Sequence, residues 1–84
     1  MSMILIEKAM RTKVGNPRRK LILLKLADNA NDNGECWFSY QDLAYQCDIS
    51  RSTVIGHILA LEKTGVLNLE PGSNQPKFAR LMLK

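Results

Sequence analysis

The sequence predicts a mainly α fold completed by a small β-hairpin, an α+β domain of 84 residues. Three observations carry that prediction. Apolar residues recur at helical spacing over about 17–30 and 51–64, each run opened by a capping residue, Asn16 or Ser50. A shorter capped run, Ser39 to Cys47, lies between them. Beyond 65, "VLNLE" and "KFARLML" alternate around the polar tip "PGSNQP", the pattern of two strands and a turn. A chain of this length makes one domain, 1–84, and folding buries only about 60 to 65% of its unfolded surface. That leaves little room for an enclosed active site.

Taken in order, residues 1–15 read as an N-terminal extension. Ile4, Leu5 and Ile6 stand in a row before charges, a pattern that suits a short strand and a helical turn equally. "GNP" at 15–17 then starts a helix, because Asn16 is a good cap and Pro17 fits the first helical position, where its missing N–H has no intrahelical partner anyway. Leu21, Leu24 and Ala27, with Ile22 and Leu23 beside them, give this helix a broad apolar arc to about residue 30. "NDNG" breaks it, and "ECWF" follows as a short edge strand. Ser39 opens the next helix as the first member of a capping box, with Asp42 three residues on, where an acid also suits the helix dipole. Leu43, Ala44 and Cys47 form its apolar face, and a helix this short needs a neighbour to exist.

"DIS" at 48–50 turns the chain, and Ser50 caps the longest apolar stripe, Val54, Ile58 and Leu61, flanked by Ile55 and Leu59. Gly65 stands where a left-handed residue ends a helix. The predicted order is therefore helix, short strand, short helix, three-residue turn, longer helix, hairpin. Two helices joined by a tight turn, the second opened by a Ser cap, make a helix-turn-helix at 39–64, and a hairpin over 66–83 makes it winged.

Charge is modest in total and uneven in place. The net charge is +4, yet residues 8–25 carry seven bases and no acid, while 26–50 carry five acids and no base. A segregated basic segment favours a polyanionic partner, although a solvated helical face looks the same. The two cysteines, Cys36 and Cys47, are too few for a disulfide framework in a chain without a signal peptide or a membrane-length apolar run, so a reduced, cytoplasmic protein is expected. With one histidine in the chain, no metal site is expected, and no cofactor.

The run "KLILLKLADNANDNGECWFSYQDLAYQCDISRSTVIGHILALEKTGVL" (20–67) resembles the winged helix-turn-helix domains of phage and plasmid replication proteins and related bacterial transcription regulators. The pieces that match are "LLKLADNANDNGECW", the Ser and "LA" of the first motif helix, and "ISRSTVIGHILALEKTGVL". This resemblance implies that 39–47 supports the backbone side, 51–64 is the recognition helix and 66–83 the wing. It also implies double-stranded DNA as partner, in transcription regulation or replication initiation, with a replication or transcription protein as a further partner.

The residues themselves supply candidates for that contact. With Val54, Ile58 and Leu61 facing the core, Arg51, Ser52, Thr53, Gly56, His57 and Lys63 fall on or near the opposite arc. Arg51 and Ser52 lie in the first turn, where such helices meet base edges; Ser50 is a cap that can also reach phosphate. A guanidinium at 51 presents two donors to guanine. Gly56 is unexpected mid-helix, where it costs about 1 kcal/mol relative to Ala. His57, which titrates near neutrality, is a candidate for base contact and for pH sensing. Ser73, Asn74, Gln75, Lys77 and Arg80 are the wing's candidates. Arg18, Arg19 and Lys20, with Lys13 before them, open a helix where cations oppose the dipole, a placement that makes sense beside an anion. Trp37 reads as a packing residue beside the edge strand.

An enzyme is not expected: the chain has no phosphate-binding glycine loop, no nucleophile elbow and no second histidine for a relay. Asp28 and Asp32 are four apart, at a helix end beside a turn, where solvation explains them. The rival reading is a protein interaction module, since winged helices serve that purpose too and acids between 26 and 50 would repel DNA if they shared the recognition face. The apolar "MILI" offers a surface through which two copies could pair as a homodimer.

Overall fold

The structure is a computed structural model that describes residues 3–70 and 77–83. Four helices and a three-stranded sheet follow one another as α1 (Met3–Arg11), α2 (Pro17–Asn29), β1 (Glu35–Phe38), α3 (Tyr40–Cys47), α4 (Arg51–Lys63), β2 (Leu67–Leu69) and β3 (Lys77–Leu81). This is the mainly α architecture with a small β-sheet that the sequence predicts, arranged as a winged helix-turn-helix.

The caps fall where they are expected. Asn16 Oδ1 accepts from the backbone N–H groups of Arg18 and Arg19 at 2.9 and 3.1 Å, and Pro17 takes the first helical position. Ser39 Oγ accepts from Asp42 N at 2.9 Å. Ser50 Oγ accepts from Thr53 N at 3.3 Å and lies 2.7 Å from the Thr53 hydroxyl. Helix α4 closes with the N–H of Gly65 on Glu62 O and that of Val66 on Leu61 O, both at 3.1 Å, around a Gly65 whose φ is +85°. That pair of bonds is a Schellman closure. The same closure ends α3 at Asp48, the one described non-glycine residue with positive φ (58°), where Asp48 N bonds Tyr45 O and Ile49 N bonds Ala44 O. Asp is one of the few non-glycine residues that visit this conformation, because its short polar side chain can hydrogen-bond locally, and the turn it makes joins α3 to α4.

The N-terminal extension is an element of the core. Residues 3–11 are helical and pack on α2, with Leu5 and Ala9 buried. The "MILI" surface is accordingly split: Leu5 goes inside, while Met3 and Ile4 stay exposed. Helix α2 is also turned relative to the expected arc. Ile22, Leu23, Leu26 and Ala27 are buried, whereas Leu21 is exposed and Leu24 half-buried. Packed against α1 on one side and α3, α4 and β1 on others, α2 buries a face chosen by its neighbours, since a run of apolar residues leaves the phase open.

The sheet order is β1-β3-β2, fully antiparallel, with Glu35 opposite Arg80 and Leu67 opposite Leu81. β1 is thus an edge strand, as expected, and β3 pairs on both sides. Cys36, Phe38, Leu67, Ala79 and Leu81 face the helices and are buried. The strand is introduced by a turn built on Asn31, whose Oδ1 accepts from the N–H groups of Asn33 and Glu35 at 2.9 and 3.0 Å. Gly34 in that turn has φ +82°, and a Cβ there would stand 3.0 Å from the carbonyl oxygen of Leu81. Only glycine fits this crossing of β3. The expected wing contacts Ser73, Asn74 and Gln75 lie outside the described residues. Among those described, no helix is long and apolar enough to cross a membrane.

Candidate nucleic-acid interface

Helix α4 is held from three sides, by α3, α2 and β2. Val54, Ile58 and Leu61 are buried, as the stripe requires. With 3.6 residues per turn, the positions diametrically opposite that stripe are Ser52, Gly56, Leu59 and Lys63. Ser52, Gly56 and Lys63 are exposed, as expected. Arg51 and His57 flank the stripe on its two sides instead of opposing it: Arg51 is exposed, while His57 and Thr53 are half-buried. Leu59, expected beside the core, is 50% exposed in the middle of the outward arc. An apolar side chain there is suited to a thymine methyl group. Its angular position opposite Ile58 and Leu61 is the signal that identifies it.

His57 brings the basic segment to this helix. Arg19 on α2 donates from Nε to His57 Nδ1 at 3.3 Å and from an η nitrogen to the carbonyl oxygen of Val14, also at 3.3 Å. Partial burial, then the Arg19 charge, then that of Arg18, hold the imidazole below its ordinary pKa. The start of α2 and the flank of α4 therefore form one surface, on which Arg18 and Arg19 supply the positive charge beside His57, and the Arg18 side chain makes no hydrogen bond or ion pair among the described residues. Neither does the Arg51 side chain at the start of α4.

Lys20 does not join them. Its ammonium turns back onto the end of α1 and donates to the carbonyl oxygens of Ala9 (3.1 Å), Met10 (2.8 Å) and Thr12. This is a cation on the negative end of a helix dipole, donating to carbonyls at and just beyond the last turn of α1. The expectation of a phosphate contact at Lys20 gives way to that structural task. Arg80 is likewise committed, to Glu35 across the strands at 2.9 Å, on the sheet face opposite the core. Lys77 lies at the start of β3, half-buried. The candidate bases are thus divided: Arg19 on α2 meets His57 of α4, with Arg18 beside it, and Arg80 pairs with Glu35 on the sheet face opposite the core.

Two further features escaped the sequence. An open groove of about 590 Å³ between α3 and α4 is lined by residues that include Gln41, Tyr45, Ser50 and Arg51, and Tyr45 is 88% exposed. A hydroxyl and an amide on α3 beside the first turn of α4 are suited to phosphate oxygens. Their positions two and five residues from the two caps are visible in the sequence, but their exposure depends on the α3–α4 angle. On the outer sheet face, Trp37 is 55% exposed and packs against Phe78, with ring centroids 4.9 Å apart and the ring planes tilted by 48°. Trp37 is thus a packing residue against Phe78 on the strand beside it, as expected, with part of its ring left to solvent. Both cysteines are buried free thiols; burial pushes Cys36 up to about 11 and raises Cys47. Among the described residues no group of His, Cys, Asp and Glu could hold a metal ion.

A helix-turn-helix whose second helix presents its first turn outward, beside a positive α2 start, defines a class of DNA-binding domains. Comparison with family models bears on the particular family: the model described as a helix-turn-helix domain matches residues 16–67, more than half of the chain. The chain belongs to that family. A search of curated proteins finds no match.

Proposed function

We propose that this domain binds double-stranded DNA without catalysis, laying the start of α4 in the major groove, with Arg18 and Arg19 on the adjoining phosphates and the β2–β3 pair as a wing. The observation that supports this most strongly is the meeting of Arg19 with His57, because it joins the basic segment to the helix whose first turn is free. Arg51, Ser52 and Thr53 would then approach base edges or backbone, with Gly56 and Leu59 facing the groove and Lys63 toward a phosphate at its far end. The setting that suits such a domain is intracellular, in transcription regulation or in replication initiation of phage or plasmid type. A homodimer joined through Met3 and Ile4 would read two half-sites about one helical turn apart.

The sheet's outer face favours a second reading. Trp37 and Phe78 are apolar and lie on the side turned from the core, which is what a protein-docking winged helix would present. The two readings separate in one titration. Fluorescence anisotropy of a mixed-sequence 20-base-pair duplex, at several salt concentrations, should show binding whose logarithm falls with log salt by about 0.9 per phosphate neutralised. Arg51→Ala should weaken it. No binding at low salt would favour protein docking.

A further inference from the structure

We propose that Arg19 is a positioning residue for DNA reading: it fixes the tautomer of His57, so that the imidazole offers a single N–H donor, from Nε2, to an acceptor on a base edge. This rests on the proposed entry of α4 into the major groove. The argument starts from one hydrogen bond. Arg19 Nε is a donor and can be nothing else, so the atom it meets, His57 Nδ1 at 3.3 Å, must be the unprotonated nitrogen of a neutral ring. The ring's remaining proton then sits on Nε2. No described residue partners Nε2, and no buried side-chain nitrogen or oxygen among those described lacks a partner, so Nε2 faces solvent.

Charge around the ring acts in the same direction. Arg19 and Arg18, both on α2, are the charges that act on it; α3 and β2, the other elements packed on α4, contribute none. A second proton on Nδ1 would break the bond and set two cations side by side. The arrangement has a chemical consequence in the major groove. Purine N7, guanine O6 and thymine O4 are acceptors, whereas the exocyclic amines of adenine and cytosine are donors. An imidazole held as the Nε2–H tautomer selects the first set, and a ring free to exchange tautomers, able to accept as well as donate, selects less. Arg19 is also anchored at Val14 O, so its own geometry is fixed from the loop that precedes α2.

The test has two arms on the whole chain. First, long-range ¹H–¹⁵N NMR of the free protein at pH 7.5 should show His57 as the Nε2–H tautomer. In Arg19→Met it should become a mixture that titrates at higher pH, while Arg18→Met, with the same loss of charge, should keep the tautomer. A wild-type ring protonated on Nδ1, or an Arg19→Met ring unchanged, overturns the proposal. Second, selection from a random-core duplex pool should yield one position restricted to an acceptor-bearing base edge. A single neutral hydrogen bond gives roughly two- to tenfold discrimination there. Arg19→Met should lose the discrimination at that position alone, and Arg18→Met should retain it while binding more weakly overall. Retention in Arg19→Met overturns the proposal with DNA binding intact. Failure of the wild-type chain to bind the pool at all overturns the proposed function and this inference together.

Discussion

Replacing Gly56 by alanine should make the protein more stable and a poorer DNA binder. Gly56 lies in the interior of α4 with its φ outside the left-handed region, so an L-residue adopts its backbone without strain. A Cβ built there meets nothing within 4 Å. The substitution therefore gains helix propensity and loses no contact, a difference of about 1 kcal/mol in favour of Ala. In a domain of this size that corresponds to a melting temperature higher by roughly 4 to 8 °C. The free space around Gly56 is the space a groove wall would occupy, since Gly56 stands opposite Ile58 and Leu61 between Ser52 and Leu59. A methyl group forced into a fitted contact costs about 1 kcal/mol or more, hence roughly fivefold in Kd. Thermal melting and duplex anisotropy on the same preparations measure both. A Gly56→Ala protein that melts at or below the wild-type temperature would refute the propensity argument. One that is stabilised and binds as well as wild type would remove Gly56 from the interface.

Further outcomes follow from the same structure. Gly65→Ala, which has room for a Cβ but φ +85°, should lose about 1 to 2 kcal/mol in urea denaturation; Gly34→Ala should lose more, because φ +82° is joined by the 3.0 Å approach to Leu81 O. Lys20→Met should destabilise by about 1 kcal/mol or more through the carbonyls left at the end of α1, and should leave the salt slope of DNA binding unchanged, whereas Arg18→Ala should lower that slope by about 1 with little effect on stability. Ile58→Ala, at a fully buried position, should cost about 2 to 5 kcal/mol by denaturant midpoint. Stability should also depend on pH through His57. Its folded pKa lies below the ordinary value of 6.5, so the native state binds fewer protons; its contribution is whole above 6.5 and declines as pH falls through that value toward the folded one. His57→Gln should flatten the denaturation midpoint over that window. Glu35, lowered by its bonds from Asn31 and Arg80, adds a separate decline beginning below its ordinary 4.5, which Glu35→Gln should remove.

Local chemistry made most of the elements legible. Asn16 with Pro17, Ser39 and Ser50 each fixed a helix start because a cap acts on the next three residues and needs no distant partner. The stripe of α4 was equally plain, since three residues at one spacing admit one burial face. Residues 3–11 were ambiguous for the opposite reason: Ile4, Leu5 and Ile6 suit strand and helix alike, and the helix is decided by Leu5 and Ala9 packing on α2 and by Lys20 closing its end. The rotation of α2 has the same origin, because four consecutive apolar residues, Leu21 to Leu24, carry no phase of their own. Trp37 could have been placed from alternation, as Cys36 and Phe38 on either side turn inward. The division of labour among Arg18, Arg19 and Lys20 could not. Three adjacent cations look alike in sequence, and only the positions of α1 and α4 send one to backbone carbonyls, one to His57 and one to solvent.

The most direct test of the central claim is a map of the surface that DNA covers, obtained by titrating the ¹⁵N-labelled chain with a 20-base-pair duplex and following backbone amide shifts. If α4 and the start of α2 form the interface, the large changes fall on 50–59 and on Arg18 and Arg19, with Trp37 and Phe78 unmoved. If the changes centre on Trp37, Phe78 and Arg80, or if no amide moves at low salt, α4 is not the reading helix and the account given for it is wrong.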